Sequence, residues 1–441
     1  MKYRIAACIA GLSILAGCAG GGSVRTLPSA SSRTVSENIA SPGTPQYAVT
    51  NLGTLGGSSS SGNSLNSRTW VTGTSNLGGD TIVRATLWRD GGPPKNLGTL
   101  GGPNSAVQWP NHNDSGLIAG IAETATVNSL GEDWSCSAFF LTTTHDVCRG
   151  FMWRQDVMTE LPTLGGLDGY AAGTNDIGQI VGWAENTTHD PTCSGRSQVL
   201  QFKPVMWTPD GRIHELPTLP GDPDGAATAI NDRGQIVGIS GRCDQAVGRF
   251  TAIHSVIWQN GNVADMGNIG GSAWNTPQGI NNSGQVVGFA NVAGGDQSNL
   301  QPHAFLWTRS AGMTDLNALS GDAYSFANGI NDLGQIVGVS YTAGFASSRA
   351  FIYENGQMTD LNGSVASGST LYLISANDIN DRGEITGQAT LAGSSDAPAF
   401  LAVPEIFDQA RSASAARRTT LAEPALPTRV RSMLRRRFGL P

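Results

Sequence analysis

The sequence predicts an all-β protein, a single seven-bladed β-propeller of four-stranded blades, and three observations carry that prediction. An octapeptide of the form Asn-Asp-x-Gly-Gln-Ile-Val-Gly recurs seven times. It is clearest at residues 331–338, 231–238, 281–288 and 175–182, and weaker at 66–73, 113–120 and 380–387. The steps from one Asn to the next run from 47 to 62 residues, a period typical of propellers and solenoids. Composition agrees: 58 glycines with only 14 % charged residues in a chain of 441 suit many short strands and tight turns. The third observation is the order of strands at the two ends of the repeat region, which leaves one strand spare at the start and one missing at the end.

In chain order, the first element is a targeting segment that takes no part in the fold. Lys2 and Arg4 precede an apolar run at 5–14, which ends in Leu15-Ala16-Gly17-Cys18. That ending resembles the lipobox of bacterial lipoproteins. The resemblance implies removal of residues 1–17, lipidation of Cys18 and, with Ala19 next, an outer-membrane address. The alternative is an ordinary secretory signal with an incidental cysteine. A doubly or triply acylated cysteine holds a protein on a membrane durably. Residues 18–46, rich in Gly, Ser, Thr and Pro, read as a flexible tether. No later apolar run reaches the eighteen or so residues that a spanning helix needs.

Each repeat then supplies four strands. Strand a precedes the Asn. The Asn-Asp-x-Gly turn reverses the chain, and strand b is the Gln-Ile-Val-Gly segment. Its closing Gly, present in all seven copies, signals a bulge or a close backbone approach. Strand c is an apolar triplet ending in an aromatic, as in Val205-Met206-Trp207, and strand d precedes a glycine-rich segment such as LGTLGG at 52–57. The repeats open on a lone strand d at 47–52 and close on a strand c at 400–403 with no strand d after it. A ring resolves both ends, the first strand completing the last blade, and leaves no exposed sheet edge. The propeller is expected over residues 47–403; an open solenoid or two smaller propellers are the alternatives.

LGTLGG, IND-x-GQIVG and Pro302-His303-Ala304-Phe305-Leu306-Trp307 together resemble the HAF-type extracellular repeats of bacteria. The resemblance spans nearly all of the repeat region and implies an exported protein. It brings no common reaction with it.

In such a ring the b–c and d–a connections share one face. The long irregular segments are the b–c ones, at 121–147, 183–202, 239–253 and 289–301, so that face is the expected binding surface. Cys136 and Cys148 lie within one of these loops, while Cys193 and Cys243 lie in the loops of adjacent blades. An even count in an oxidising compartment favours two disulfides over zinc ligands, since no pair has zinc-knuckle spacing, or over free buried thiols. Trp109, Trp134, Trp183 and Trp274 are candidates to stack on sugars, unless they belong to the core. Four residues before each strand-c aromatic stands a basic group: Arg84, Arg149, Lys203, His254, His303 and Arg349. They could form a cationic ring for an anionic polymer. The recurrence of Glu160, Glu215, Asp265, Asp315 and Asp360 on strand d instead favours structural pairing across the c–d hairpin.

No metal or cofactor is expected. Asp222-Pro223-Asp224-Gly225 reads as a plain turn, and His112, His145, His189 and His214 match no ligand or triad spacing. The tail, 404–441, carries eight arginines from Arg411 onward against Glu423 alone. Val430, Met433, Leu434 and Phe438 fall at helical spacing, which makes a short basic amphipathic helix for an anionic membrane, an acidic partner or the acidic propeller itself, or else a solvated tail. The expected function is a monomeric, envelope-anchored, non-catalytic propeller that presents its b–c loop face to a glycan or protein, with no specific nucleic-acid partner. A propeller hydrolase or lyase acting on extracellular polysaccharide is the alternative. It would need convergent carboxylates, or a His with Tyr or Arg, at the axial channel.

Overall fold

The computed structural model describes residues 46–110, 113–132, 134–140, 144–193, 198–243, 250–405 and 423–438. The lipobox with Cys18, the tether up to residue 45, His112 and the tail at 406–422 and 439–441 lie outside the described residues, as does the side chain of Trp134.

Seven four-stranded antiparallel sheets form the seven blades. Blade 4 shows the pattern: strands a to d are Asp224–Ile230, Ile236–Gly241, His254–Gln259 and Asn262–Asp265, paired in that order. Blade 7 takes strands a to c from Leu371–Ile379, Ile385–Leu391 and Ala399–Glu405, and strand d from Gln46–Gly53. The two ends of the propeller therefore meet in one sheet, with Tyr47 opposite Pro404 and Asn51 opposite Phe400. Tyr47 is buried in a cluster with Leu361, Leu373 and Ala402.

Burial falls from the axis outward. In blade 4 every residue of strands a and b is buried, while strand d is mostly exposed. Strands a converge on the axis, where only small side chains fit side by side, and they read accordingly: GYAAGT in blade 3 and DGAATAI in blade 4. Strand-c tryptophans fill the wider space between blades. The Trp207 and Trp258 indoles donate to Pro162 O (2.9 Å) and Pro217 O (2.6 Å), carbonyls of the connections that lead in from the preceding blades.

The lower face is built from the repeated turns. Asn231 Oδ1 accepts the amides of Arg233 and Gln235 at 3.1 and 2.9 Å and so closes its own turn. Its Nδ2 donates onward to the backbone carbonyl of Asn281. The same link joins each Asn to the next, at 2.5–3.1 Å, and Asn380 donates back to Asn66. Seven side chains thus form a closed circuit of hydrogen bonds around the axis. In the turn's last position Gly234 holds φ 73°, but in the first copy Thr69 occupies it at φ 60°, a conformation unfavourable for a β-branched residue. Contacts from blade 7 hold it there: Arg382 Nη2 reaches Thr69 Oγ1 and Glu384 Oε2, both at 2.6 Å.

The b–c connections are shorter than the sequence suggested. In blade 3, strand b continues as Ile180–His189 and strand c begins at Leu200, with His189 opposite Leu200. The added residues 187–189 are exposed, so they lack the apolar alternation of a strand buried in a core.

Candidate ligand-binding face

The axial channel opens on the face that carries the b–c and d–a connections. Beneath that mouth lies a cavity of about 160 Å³ whose walls are hydroxyl and amide side chains, among them Ser61, Asn63, Gln278, Asn328, Asn377 and Gln388. These groups bond one another and the strand-a backbone. Asn377 Nδ2 lies 3.0 Å from each of Ser61 Oγ, Gly62 O and Asn63 Oδ1, and Asn63 Nδ2 donates to Val107 O at 2.8 Å. Phe289, Phe326 and Tyr341 form an apolar rim. Among the described lining residues none is Asp, Glu, His, Cys or Lys, and the one full charge is Arg429, contributed by the tail.

The tail helix, Thr428–Phe438, lies over this mouth. Leu426, Val430 and Leu434, spaced one turn apart, are buried in one cluster with Phe289, Phe326, Tyr341 and Tyr372. Leu426 N donates to Ala346 O at 3.0 Å in the blade 6 connection, and Glu423 accepts from Ser347. On the opposite side Arg429 pairs with Asp80 at 2.8 Å and reaches Ser58 Oγ at 3.1 Å. Burial works against ionisation of Asp80, but the amide of Ser58, Arg429 and the Ser58 hydroxyl outweigh it and hold the carboxyl well below its ordinary range. The structure therefore places the amphipathic segment on the propeller itself. A groove of about 900 Å³ runs beside it, between residues 424–432 and the blade 7 connection 390–395.

Blades 2 to 4 carry the disulfides. Cys136–Cys148 clips one connection, and Cys193–Cys243 joins the connections of adjacent blades. Both agree with an oxidising compartment. No helix among the described residues is long and apolar enough to cross a membrane. The clipped loop folds inward: Phe139 packs edge-on against Trp109 at 5.8 Å, and Tyr170 stacks on Trp183 at 4.3 Å. This corrects one expectation. Trp109 and Trp183 are fully buried and Trp274 is 3 % exposed, so these three are core rather than a sugar-stacking surface.

The basic residues divide. Arg149 and His303 pair with the strand-d acids Glu160 and Asp315 at 3.3 and 3.0 Å, as hairpin geometry predicts, while Arg349 bridges strand-d Asp360 (3.4 Å) and the nearer Asp322 (2.9 Å) of the connection into its blade. His254 instead takes Asp222 at 2.9 Å, and Lys203 donates to Pro223 O, because the connection into strand a comes nearer than strand d. Arg84 sits in the field of buried Glu123; burial pushes its pKa down and that charge partly restores it. No continuous cationic ring results.

The turn at 222–225 does more than reverse the chain. Asp222 is bound by His254 and by Ser240 Oγ (2.7 Å), while Asp224 is buried and accepts Phe202 N at 3.0 Å. Burial pushes Asp224 up to about 9, and a hydrogen bond with Asp190 adds to the rise. Asp190 is held low against its own burial by the same bond. With those opposite directions, one shared proton is expected in the pair at neutral pH, on Asp224. A folded-state pKa above the unfolded value of about 4 gives stability that is present below that value and lost as pH rises towards about 9. Asp224→Asn, which keeps a donor at every pH, is expected to flatten the fall in urea midpoint between pH 5 and pH 9. Parallel profiles for the two proteins would exclude the shared proton.

A second buried carboxylate group lies in blades 2 and 3. Glu132, Asp168 and Glu185 are 0–1 % exposed, with an oxygen of each within 4.8 Å of the others. Burial and the neighbouring charge of Glu132 push Glu185 up to about 7, and burial with the Glu185 charge raises Asp168. Sequence reading missed all three. Superposing the seven copies could have flagged Glu185 together with Glu123 of blade 2, each three residues after the strand-b glycine, where blades 1 and 5 have Asn76 and Asn291.

Residues 221–400 match the model of a family described as a protein of unknown function (DUF3466). No curated protein matches the chain. Among solved structures the chain is similar to a streptogramin B lyase, at 13 % identity and TM-score 0.45 over 82 % of this chain and 98 % of that one. It is also similar to an acylaminoacyl peptidase of Pyrococcus horikoshii, at 9 % identity and TM-score 0.43 over 77 % and 51 %. A puromycin hydrolase aligns at 13 % identity and TM-score 0.41 over 73 % and 48 %. The chain spans about half the length of the last two.

Proposed function

We propose that the chain is an envelope-anchored, non-catalytic propeller that binds a glycan at its axial mouth, where its own C-terminal helix is the resident occupant. One observation carries this reading: the mouth of the channel under the tail helix is lined by neutral hydroxyls and amides beneath an aromatic rim, whereas the aspartates of the repeated turns line the opposite mouth. Sugar hydroxyls are matched by such groups, and a few placed polar side chains on an apolar wall fix orientation. Glycosidic or peptide hydrolysis needs a general acid or an activated nucleophile in contact with substrate, and the described lining of this cavity has hydroxyls but neither carboxylate nor imidazole to activate them. The lipobox at 15–18 supports an anchor through Cys18, and the HAF-type repeats and the disulfides support an exported address.

The test is a glycan array run with the full chain and with Val430→Glu/Leu434→Glu. Two buried carboxylates at the helix interface should release the helix, because burying each of those aliphatic side chains contributes about 1.5–3 kcal/mol. The expected result is loss of hydrogen-exchange protection in 423–438 and glycan binding at least about tenfold above the parent. A released helix with no binding by either protein overturns the reading. Release of reducing ends from a polysaccharide would move the chain to the hydrolase class, and unsaturated ends to the lyase class.

A further inference from the structure

The buried carboxylates of blades 2 and 3 have a local task that does not need their charge. Asp168 Oδ1 accepts Cys148 N at 2.7 Å at the start of the preceding strand c. In blade 2 the same task falls to a neutral residue, Asn104, whose Oδ1 accepts Val83 N at 2.9 Å. Glu185 Oε2 accepts the amides of Leu167 and Asp168 at 3.0 and 2.8 Å, which a glutamine oxygen could also do. Glu132 Oε1 accepts Val199 N and Leu200 N, both at 2.7 Å. Three buried carboxyl groups thus stand together where three neutral acceptors would serve the fold, and ionising them side by side without a counter-cation is strongly unfavourable.

Two oxygens at the cluster have no hydrogen-bond partner among the described residues. One is Glu132 Oε2. The other belongs to an uncharged side chain: Gln198, 3 % exposed, spends its Nε2 on Glu185 Oε1 (3.0 Å) and Leu200 O (2.5 Å), which fixes the amide orientation and leaves Oε1 unmatched. Both lack a donor, and a cation supplies what they lack.

We propose that Glu132, Asp168 and Glu185 form a calcium site, with Gln198 Oε1 as a fourth oxygen ligand. The ligand set is all oxygen, mixing carboxylate with amide, which suits a hard cation and excludes a thiolate-type metal. Calcium–oxygen distances of about 2.3–2.6 Å place ligands on opposite sides of one ion nearly 5 Å apart. The three carboxylates fall inside that limit, at 4.8 Å or less. Magnesium, which demands near-octahedral geometry at about 2.1 Å and keeps several waters, fits a site walled in by backbone amides less well. The site would tie the loop carrying Glu132 to blade 3, next to the Cys136–Cys148 clip.

The test uses the full chain, stripped with chelator and then titrated with Ca2+, Mg2+ or Tb3+. Trp183 lies two residues from Glu185 and stacks on Tyr170, so bound terbium should show sensitised emission on excitation near 280 nm. The expected results are Tb3+ emission that Ca2+ displaces and Mg2+ displaces at least about tenfold less well, and a thermal midpoint raised by about 2–5 °C in millimolar Ca2+. Glu132→Gln should lose both responses, and Asp224→Asn, in the neighbouring proton-sharing pair, should keep them. If Glu132→Gln does not fold, the competition measured on the parent still decides. Absence of displaceable emission, with equal midpoints in chelator and in Ca2+, overturns the site. That result would leave the glycan reading untouched, because the cluster is not part of the channel lining.

Discussion

Gly338→Ala is expected to lower stability by at least about 4 kcal/mol and to leave most of the protein insoluble, a large share of the roughly 5–15 kcal/mol that holds a typical domain together. Strand a of blade 6, Tyr324–Ile330, carries a bulge between Ala327 and Gly329, so two of its residues face one of strand b. The bulge presses Phe326 O onto the Cα of Gly338. An added Cβ would fall inside the van der Waals envelope of that oxygen and lie 2.6 Å from Phe351 Cζ. Neither group can retreat, since the oxygen belongs to the backbone and the ring is fully buried. The same oxygen position faces Gly73, Gly182 and Gly238 through Ser61, Tyr170 and Ala226, so alanine in any of these copies should act alike. Gly363, with open space where its Cβ would go, is the control and should change stability by less than about 0.5 kcal/mol. Urea unfolding of the soluble fractions measures both.

Removal of residues 46–53 is expected to have an effect of similar size and a different character. Without that strand, Ala399–Glu405 becomes a free sheet edge and the Leu361–Leu373–Ala402 cluster loses Tyr47. Large-to-small replacement of one buried aromatic already costs about 3–5 kcal/mol, and an unpaired edge is a template for pairing with another chain. A chain starting at residue 54 should therefore unfold over a broad range and form dimers and larger species at micromolar concentration. A chain starting at residue 46 should stay monomeric with one sharp transition. A synthetic peptide of residues 46–53 added in trans should restore part of the midpoint by strand addition. Identical behaviour of the two truncated chains would show that closure by this strand is dispensable.

Much of this architecture was readable in the residues because the blades must each solve the same problem. Every reversal needs an Asn to close the turn and every bulge needs a glycine opposite, so the count of blades and the spare strand at 46–53 are written as repetition. The cysteine pairs were readable for a related reason, since loop positions relative to the repeat fix which cysteines are neighbours. What escaped was whatever depends on how the non-repeating segments fold back. Trp109 and Trp183 looked available for ligand because nothing in their surroundings announces that Phe139, which lies between them in the chain, folds back to cover both. Glu132, Asp168 and Glu185 come from a blade 2 loop, the connection into blade 3 and strand b of blade 3, and only the fold brings them into one group. His254 and Lys203, on either side of the connection from blade 3 to blade 4, both chose that connection over strand d, a choice that spacing alone does not resolve.

The joint in blade 7 also sets the order of events in the life of the chain. Gln46–Gly53 is the first described strand to be synthesised, and its partner, Ala399–Glu405, is the last. At about 5–20 residues per second, the first strand waits on the order of tens of seconds before its partner exists. Six blades can form in that interval, but the ring cannot close until translation of the repeat region has ended. The growing chain therefore carries a solitary strand at one end and an uncapped edge at the other. Nascent neighbours on one message carry the same two ends, so exchange of first strands between them is the misassembly that this design most invites.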